Sequence, residues 1–333
     1  MGGGARPRSC PLAERAGEPG LPPLAVCGGG HRGGRAAHAR QRALDPPRLR
    51  PAATRAARRA RPARARRDPA GDPARLGAGG RRHGGRQVRG RTVAVVQARA
   101  TSSRLPGKVL LPLAGRPLVE RVVRRAMAIP GVDHVCVAIP EGAAQARLAE
   151  AVRGLDGVSV VEGPEQDVLR RYALAIAATG AETVLRLTAD CPMLDPRVAG
   201  TVLAMYHGSG AAYASTAFDS GYPLGFDTEV TSAALLLRAD AEARDPYERE
   251  HATAWIWRRP HRCPAAFLDH RPDRRGWRLV VDAPDDYDLA RVVFDTFGAR
   301  ADTFGYADLV ALFAERPELL TINAGVRQHP LVA

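Results

Sequence analysis

The sequence predicts an α/β protein built on a doubly wound, mostly parallel three-layer sheet and preceded by a disordered basic segment. Two observations carry this. From Thr92 onward, short β-branched runs alternate with amphipathic helical runs, the pattern of a parallel sheet covered on both faces. Residues 1–90 instead hold 21 arginines against 5 acidic side chains in an Ala, Gly and Pro background with no period of 2 or 3.6. Such a segment buries too little apolar surface to offset the entropy of ordering. The expected division is a disordered segment over 1–90, a folded domain over 91–298 and a helical tail over 299–333.

The elements follow in order. Thr92–Gln97 reads as a first buried strand, and Arg116–Ile129 as a helix with Pro117 in its first turn. Val135–Ile139 is a second strand, Ala143–Val152 a helix and Val158–Val161 a third strand. Asp167–Ala178 is helical, Thr183–Leu187 is a strand, and Asp195-Pro196 opens a helix with an acidic cap and an N1 proline. Further on, strands are expected at Ala211–Ala214, Asp227–Val230 and Trp277–Val281, with helices at Ser232–Asp240, Tyr247–Trp257, Pro284–Phe297 and Tyr306–Glu315.

The formal charge of +14 would suggest a nucleic-acid or acidic-membrane partner, but residues 91–333 carry 28 basic and 30 acidic side chains. The excess lies wholly in the first segment, which has neither interleaved aromatics nor a recognition motif, so nucleic acid is not an expected partner. Cys10, Cys27, Cys136, Cys191 and Cys263 form no C-x-x-C pair, which argues against a zinc ribbon or disulfide framework and for a cytoplasmic setting. Leu21–Cys27 is too short and proline-broken for a secretory signal. No apolar run approaches the roughly 18 to 20 residues of a membrane span.

In open α/β sheets ligands collect at the carboxyl ends of strands. The segment after the first strand reads Arg99-Ala-Thr-Ser-Ser-Arg104-Leu-Pro-Gly-Lys108, which gathers three cations, three hydroxyls and a Pro-Gly turn into an anion cradle. Lys108 is the only lysine in the chain, against 48 arginines. A compact, rotatable ammonium suits migrating phosphate oxygens better than a planar fork. The P-loop pattern G-x-x-x-x-G-K-[ST] is absent.

This R-x-x-S-x-R-L-P-G-K run resembles the signature of the CMP-sugar synthetases, the acylneuraminate and 3-deoxy-manno-octulosonate cytidylyltransferases. Asp167-Val-Leu-Arg-Arg-Tyr172, Arg186-Leu-Thr-Ala-Asp190-Cys-Pro, Pro223-Leu-Gly-Phe-Asp227-Thr-Glu229, Glu248-Arg-Glu-His251, Val281-Asp282-Ala-Pro and Ile322-Asn-Ala-Gly-Val-Arg-Gln328 resemble the SpsF-type branch. Where such chains carry Arg-Gly-Ser, this one has Glu162-Gly163-Pro164. The resemblance implies the Rossmann-like nucleotide-diphospho-sugar transferase fold and transfer of CMP from CTP to a sugar, expected to be a nonulosonic, sialic-like acid.

On that basis the nucleotide-binding set is Gln97, Arg99, Ser102, Arg104, Gly107 and Lys108, with Arg99, Lys108 and Asp190 catalytic. The charge on the triphosphate calls for Mg²⁺, which takes carboxylate oxygens. Asp190, after the Thr183–Leu187 strand, is the metal ligand the resemblance implies, and Asp282 completes the pair. Asp282 to Asp286 also has the composition of a helix start. Arg186, Gly225, Asp227, Glu229 and His251 form the expected sugar side. The partners implied are CTP and a small-molecule sugar acceptor, without a membrane, and a homodimer is an allowed assembly. A glycosyltransferase of the same fold would want an Asp-x-Asp motif, which Asp190-Cys-Pro does not supply.

Overall fold

Strand β1 (Thr92–Gln97) runs through the middle of a seven-stranded sheet, and Val93 to Val96 are fully excluded from solvent. The computed structural model describes residues 90–218 and 220–328. The expected disorder of the basic segment, and Cys10 and Cys27 within it, lie outside the described residues.

Beyond β1 come a small hairpin, β2 (Pro112–Leu113) and β3 (Arg116–Pro117), then α1 (Leu118–Met127), β4 (His134–Pro140), α2 (Ala146–Arg153) and β5 (Val158–Gly163). These are followed by α3 (Val168–Thr179), β6 (Thr183–Thr188), α4 (Pro196–Ser209), β7 (Tyr213–Ser215) and β8 (Glu229–Ser232). The chain continues through α5 (Ala233–Glu242), α6 (Pro246–Glu250), α7 (Ala254–Trp257), β9 (Ala265–Phe267), α8 (Pro284–Phe297) and α9 (Tyr306–Glu315). The strand order is β5-β4-β1-β6-β8-β7-β9, parallel from β5 to β6 and between β7 and β9, with β8 antiparallel to both neighbours.

Alternation along β1 explains the three layers, because successive side chains of a strand point to opposite faces. Ala94 and Val96 join one core with residues of α1, α2, α4, α8 and α9, while Val93 and Val95 join another with α3, α5 and α7. The doubly wound, mostly parallel architecture expected from the alternation of elements is therefore present. Asp195 caps α4 through Arg197 N–H (2.7 Å) and also accepts from Tyr306 N–H (2.7 Å), which ties α9 to the strand ends.

Three local expectations are corrected. The helix expected from Arg116 starts at Leu118, because Arg116 pairs with Leu113 across Ala114 and Gly115, both at positive φ as a two-residue hairpin requires. The helix expected over Tyr247–Trp257 breaks at His251 into α6 and α7. Trp277–Val281 is extended but is not a strand of the sheet: Leu279 exchanges backbone hydrogen bonds with the Leu224 region, and Val281 N–H donates to Asp190 O (2.8 Å). The seventh strand is β9, which lacked any alternating signal in the sequence. No helix among the described residues is long and apolar enough to cross a membrane.

Candidate active site

A cleft of ≈ 470 Å³ opens at the carboxyl ends of β1 and β6 and the adjoining start of β8, lined by the loop after β1 together with Asp190, Asp227, His251 and Asp282. The loop is braced by its own backbone: Gly107 N–H donates to Ala100 O (3.0 Å) and Ala100 N–H to the buried Gln145 side chain (2.8 Å). Gly107 at φ 69 takes the left-handed turn that leads into a 3₁₀ segment at Lys108–Leu110. A side chain would be strained there.

That turn points Lys108 inward. Its residue is 7 % exposed, and Nζ donates to Asp190 Oδ2 (3.1 Å), Asp282 Oδ1 (2.7 Å) and Val281 O (2.8 Å). All three ammonium protons are thus committed. Burial opposes the charged form, but Asp190 and Asp282 outweigh it and raise the Lys108 pKa. For Asp190 burial pushes the other way from Lys108 and the hydrogen bonds of Thr188 and Lys108, and the net effect holds its carboxyl below the usual range. The hydrogen bond from Val281 N–H to Asp190 O brings the Asp282 segment beside β6, across 92 residues of chain.

Asp282 also receives Arg104 NH2 at 3.0 Å and Arg278 NH2 at 3.2 Å. The helix-start role falls to a different residue: Asp286 accepts from the N–H groups of Asp282 and Ala283 (3.0 Å each), leaving the Asp282 carboxylate on the cleft. Arg99 lies exposed on the rim and makes no ion pair among the described residues, and Ser102 lines the same wall. Hard carboxylate oxygens that already share one cation suit Mg²⁺, which binds through one or two carboxylates and retains water and phosphate ligands. No third His, Cys, Asp or Glu completes a metal-sized cluster among the described residues.

The floor is a buried polar chain. Gln97 Oε1 accepts from Tyr172 OH (3.3 Å) and Arg186 Nε (3.2 Å), Arg186 pairs with Glu229, and Glu229 accepts from Tyr213 OH (2.7 Å) and from Thr253. Burial opposes the Arg186 charge, and Glu229 more than restores it. Arg186 thus links Gln97 to Glu229, with Tyr172, Tyr213 and Thr253 completing the chain. The Gly225 turn closes the acceptor side. At φ 103, an added Cβ there would lie 2.6 Å from the Leu279 carbonyl. Gly225 N–H donates to Asp227 (3.2 Å), yet burial raises the Asp227 carboxyl to about 6. His251 terminates α6 with its ring 4.2 Å from that of Tyr247, and burial lowers its pKa.

The cleft lining also includes Arg171, Phe218, Trp257 and Gln328, none of them in the expected site set. Arg171, only 2 % exposed, donates to Pro164 O (2.5 Å) and Glu165 O (2.9 Å), and so holds the turn that precedes α3. Its place in Asp167-Val-Leu-Arg-Arg-Tyr172 was the available signal. Phe218 and Trp257 meet edge to face (5.3 Å) on the rim, and Gln328 reaches the cleft from the far end of the chain. The Phe218–Trp257 contact has no sequence signature, while Gln328 closes the Ile322–Gln328 run.

The sequence model of the cytidylyltransferase family matches residues 93–291. Over 235 residues the chain is 30 % identical to the spore coat polysaccharide biosynthesis protein SpsF of Bacillus subtilis, covering 68 % of this chain and 95 % of that one. A shorter stretch of 116 residues is 39 % identical to a 3-deoxy-manno-octulosonate cytidylyltransferase of Anaeromyxobacter, 34 % of this chain and 46 % of the other. A solved cytidylyltransferase of Leptospira borgpetersenii superposes with a TM-score of 0.66 at 25 % identity, covering 72 % of this chain and all of its own. With a braced loop after β1, paired aspartates at the strand ends and these relatives, the chain belongs to the cytidylyltransferase family.

Proposed function

We propose that the enzyme activates a sugar by transferring CMP from CTP, releasing pyrophosphate, and that the acceptor is a nonulosonic, sialic-like acid destined for surface polysaccharide or glycoconjugate. The observation that carries the site assignment is the cation-binding pair Asp190 and Asp282, bridged by Lys108 Nζ at 3.1 and 2.7 Å beside the loop after β1. The acceptor hydroxyl oxygen attacks the α-phosphorus, the bond between the α-phosphorus and its bridging oxygen breaks, and pyrophosphate departs. Arg99 and Arg104, exposed on the loop, hold the phosphates, and Lys108 turns to them when a cation takes its place between Asp190 and Asp282. Asp190 and Asp282 would hold Mg²⁺, which neutralises the triphosphate and the leaving pyrophosphate.

Asp227, raised to about 6, is suited to accept a hydrogen bond, and finally a proton, from the acceptor hydroxyl near neutral pH. Arg186 and Glu229 act from beneath, fixing the floor on which Gln97 and Asp227 stand. His251 and the Gly225 turn border the acceptor. CTP and the sugar are the partners; a homodimer is compatible with this reading.

The test is pyrophosphate release by the full chain with Mg²⁺, each nucleoside triphosphate and a panel of sugar acids. Release from CTP that depends on a nonulosonic acid supports the proposal. Release that never depends on a sugar, or hydrolysis of a supplied nucleotide sugar instead, defeats it.

A further inference from the structure

Behind Asp282 the structure contains a buried polar relay that ends in the C-terminal segment. Arg278, with a side chain 9 % exposed, donates from Nε to Asp286 Oδ1 (2.8 Å), from NH2 to Asp286 Oδ2 (2.9 Å) and to Asp282 Oδ2 (3.2 Å), and from NH1 to the Gln328 amide oxygen. Asp286 has a side chain 0 % exposed and accepts, besides Arg278, the N–H groups of Asp282 and Ala283 and the Asn323 amide (2.8 Å). Asn323 Nδ2 also donates to Arg278 O (2.9 Å).

We propose that Arg278, Asp286, Asn323 and Gln328 are positioning residues for Asp282, so that the C-terminal segment sets the enzyme's affinity for a metal–nucleotide complex. The inference rests on Asp282 being a metal ligand. A capping role for Asp286 would explain its bonds to the N–H groups of Asp282 and Ala283. It would not explain Arg278 NH2 on the Asp282 carboxylate, nor an amide from the chain terminus on Arg278 NH1.

The physical logic is geometric. A guanidinium is a rigid planar fork, so fixing two of its nitrogens aims the third. Asp286 takes Nε and NH2, and Gln328 takes NH1; the fork is then locked with NH2 directed at Asp282. Asp286 grips the Asp282 main chain at the same time, so both the peptide and the carboxylate of Asp282 are held by one unit. Arg278 and Asp286 cancel in charge, so the relay adds no net charge beside Asp282, whose carboxylate faces Lys108 and Arg104 on the cleft side. Without Gln328 the part-buried NH1 group loses the acceptor that fixes it, and the fork is free to turn. Outer-shell partners of metal ligands act in this way, orienting the ligand without touching the ion.

The experiment measures Mn²⁺ binding to the full-length, CTP-saturated protein by calorimetry, alongside melting temperature and separate KM values for CTP and acceptor. Asn323→Ala and Gln328→Ala are expected to weaken Mn²⁺ binding by about 10-fold or more, the usual cost of losing such a partner. They should raise the KM for CTP while the KM for the acceptor stays near wild type. Gln328→Glu restores an acceptor for NH1 and should bind Mn²⁺ within about threefold of wild type, far short of the loss typical of an outer-shell deletion. Gln328 is exposed, so its variants keep the fold and decide the matter even if Asn323→Ala does not. Wild-type Mn²⁺ affinity in Gln328→Ala, with Asp282→Asn strongly weakened, overturns the inference alone. Unchanged affinity in Asp282→Asn overturns the metal assignment beneath it.

Discussion

Lys108 sets one positive charge against two carboxylates in the described structure, with all its protons engaged. Removing it leaves Asp190 without its cation and Asp282 with only Arg104 and Arg278, a change that costs roughly 3 kcal/mol for a carboxylate that loses its partner. Lys108→Met should therefore lower the melting temperature in the absence of metal. Added Mg²⁺ should then stabilise the variant by more degrees than it stabilises the wild type, because the cation replaces the missing ammonium. Equal metal-induced shifts in the two proteins would contradict this. Asp227 gives a second test at the same scale. Its carboxyl is raised from 3.8 to about 6 in the folded protein, so the folded state holds a proton that the unfolded chain has lost. Stability from this group is present below about pH 4 and is lost as pH rises through about 6. Above that, the ionised carboxylate is carried at a cost of at most about 3 kcal/mol, taking about 1.4 kcal/mol per pKa unit. Asp227→Asn should melt higher than wild type at pH 7.5, with the gain vanishing toward pH 4, while acceptor-dependent turnover falls. A gain independent of pH would show that packing, not ionisation, is responsible.

Elements with a strong local signal were legible and those defined by distant pairing were not. The β1, α4, α8 and α9 boundaries follow from β-branched runs, an Asp-Pro start, a Pro start and helical spacing of Leu309, Leu312 and Phe313. The run Trp277–Val281 has strand composition, but its partners are Leu224 and Asp190, so it becomes a buried strap beside the cleft and not a rung of the sheet. At the site, the loop of arginines and Lys108 and the two aspartates were visible from position after strands. That Lys108 faces the aspartates, and that Arg186 and Glu229 pair with each other, required the register of β6 against β8, which places Arg186 opposite Glu229. The strap makes Gly225 its keystone. Gly225→Ala combines a φ of 103 with a Cβ 2.6 Å from the Leu279 carbonyl, so it should cost at least about 2 kcal/mol and shift the segment that carries Asp282. A drop in melting temperature together with a raised KM for CTP is the expected pair of results. A wild-type KM for CTP would show that the strap does not position Asp282.

Over the whole chain, charge separates the two ends. The first 90 residues carry 21 arginines, and among the described residues the cleft lining runs from Gln97 to Gln328. Deleting residues 1–90 is expected to leave kcat/KM within about twofold, since every expected site residue lies at Gln97 or beyond. The remaining chain, with 28 basic and 30 acidic side chains, should lose most of its retention on a cation-exchange resin. Residues 299–333 invite the opposite expectation, although the sequence marks them as a tail. Leu309, Leu312 and Phe313 lie in the same core as β1 and α1. Arg125, 1 % exposed and in no ion pair among the described residues, donates to Ala301 O and Phe304 O at 3.1 and 2.8 Å, and burial lowers its pKa to about 10. Ending the chain at Gly298 would strip that buried guanidinium of two of its three carbonyls and open a core face as wide as α9. Both losses fall on groups whose unsatisfied state costs several kcal/mol, against a total stability of roughly 5 to 15 kcal/mol. The truncated protein should be insoluble or melt without a cooperative transition, while the N-terminal deletion melts like the full chain. If instead the 1–298 protein folds cooperatively, α9 is an appendage and its hold on Arg125 and Asp195 is dispensable.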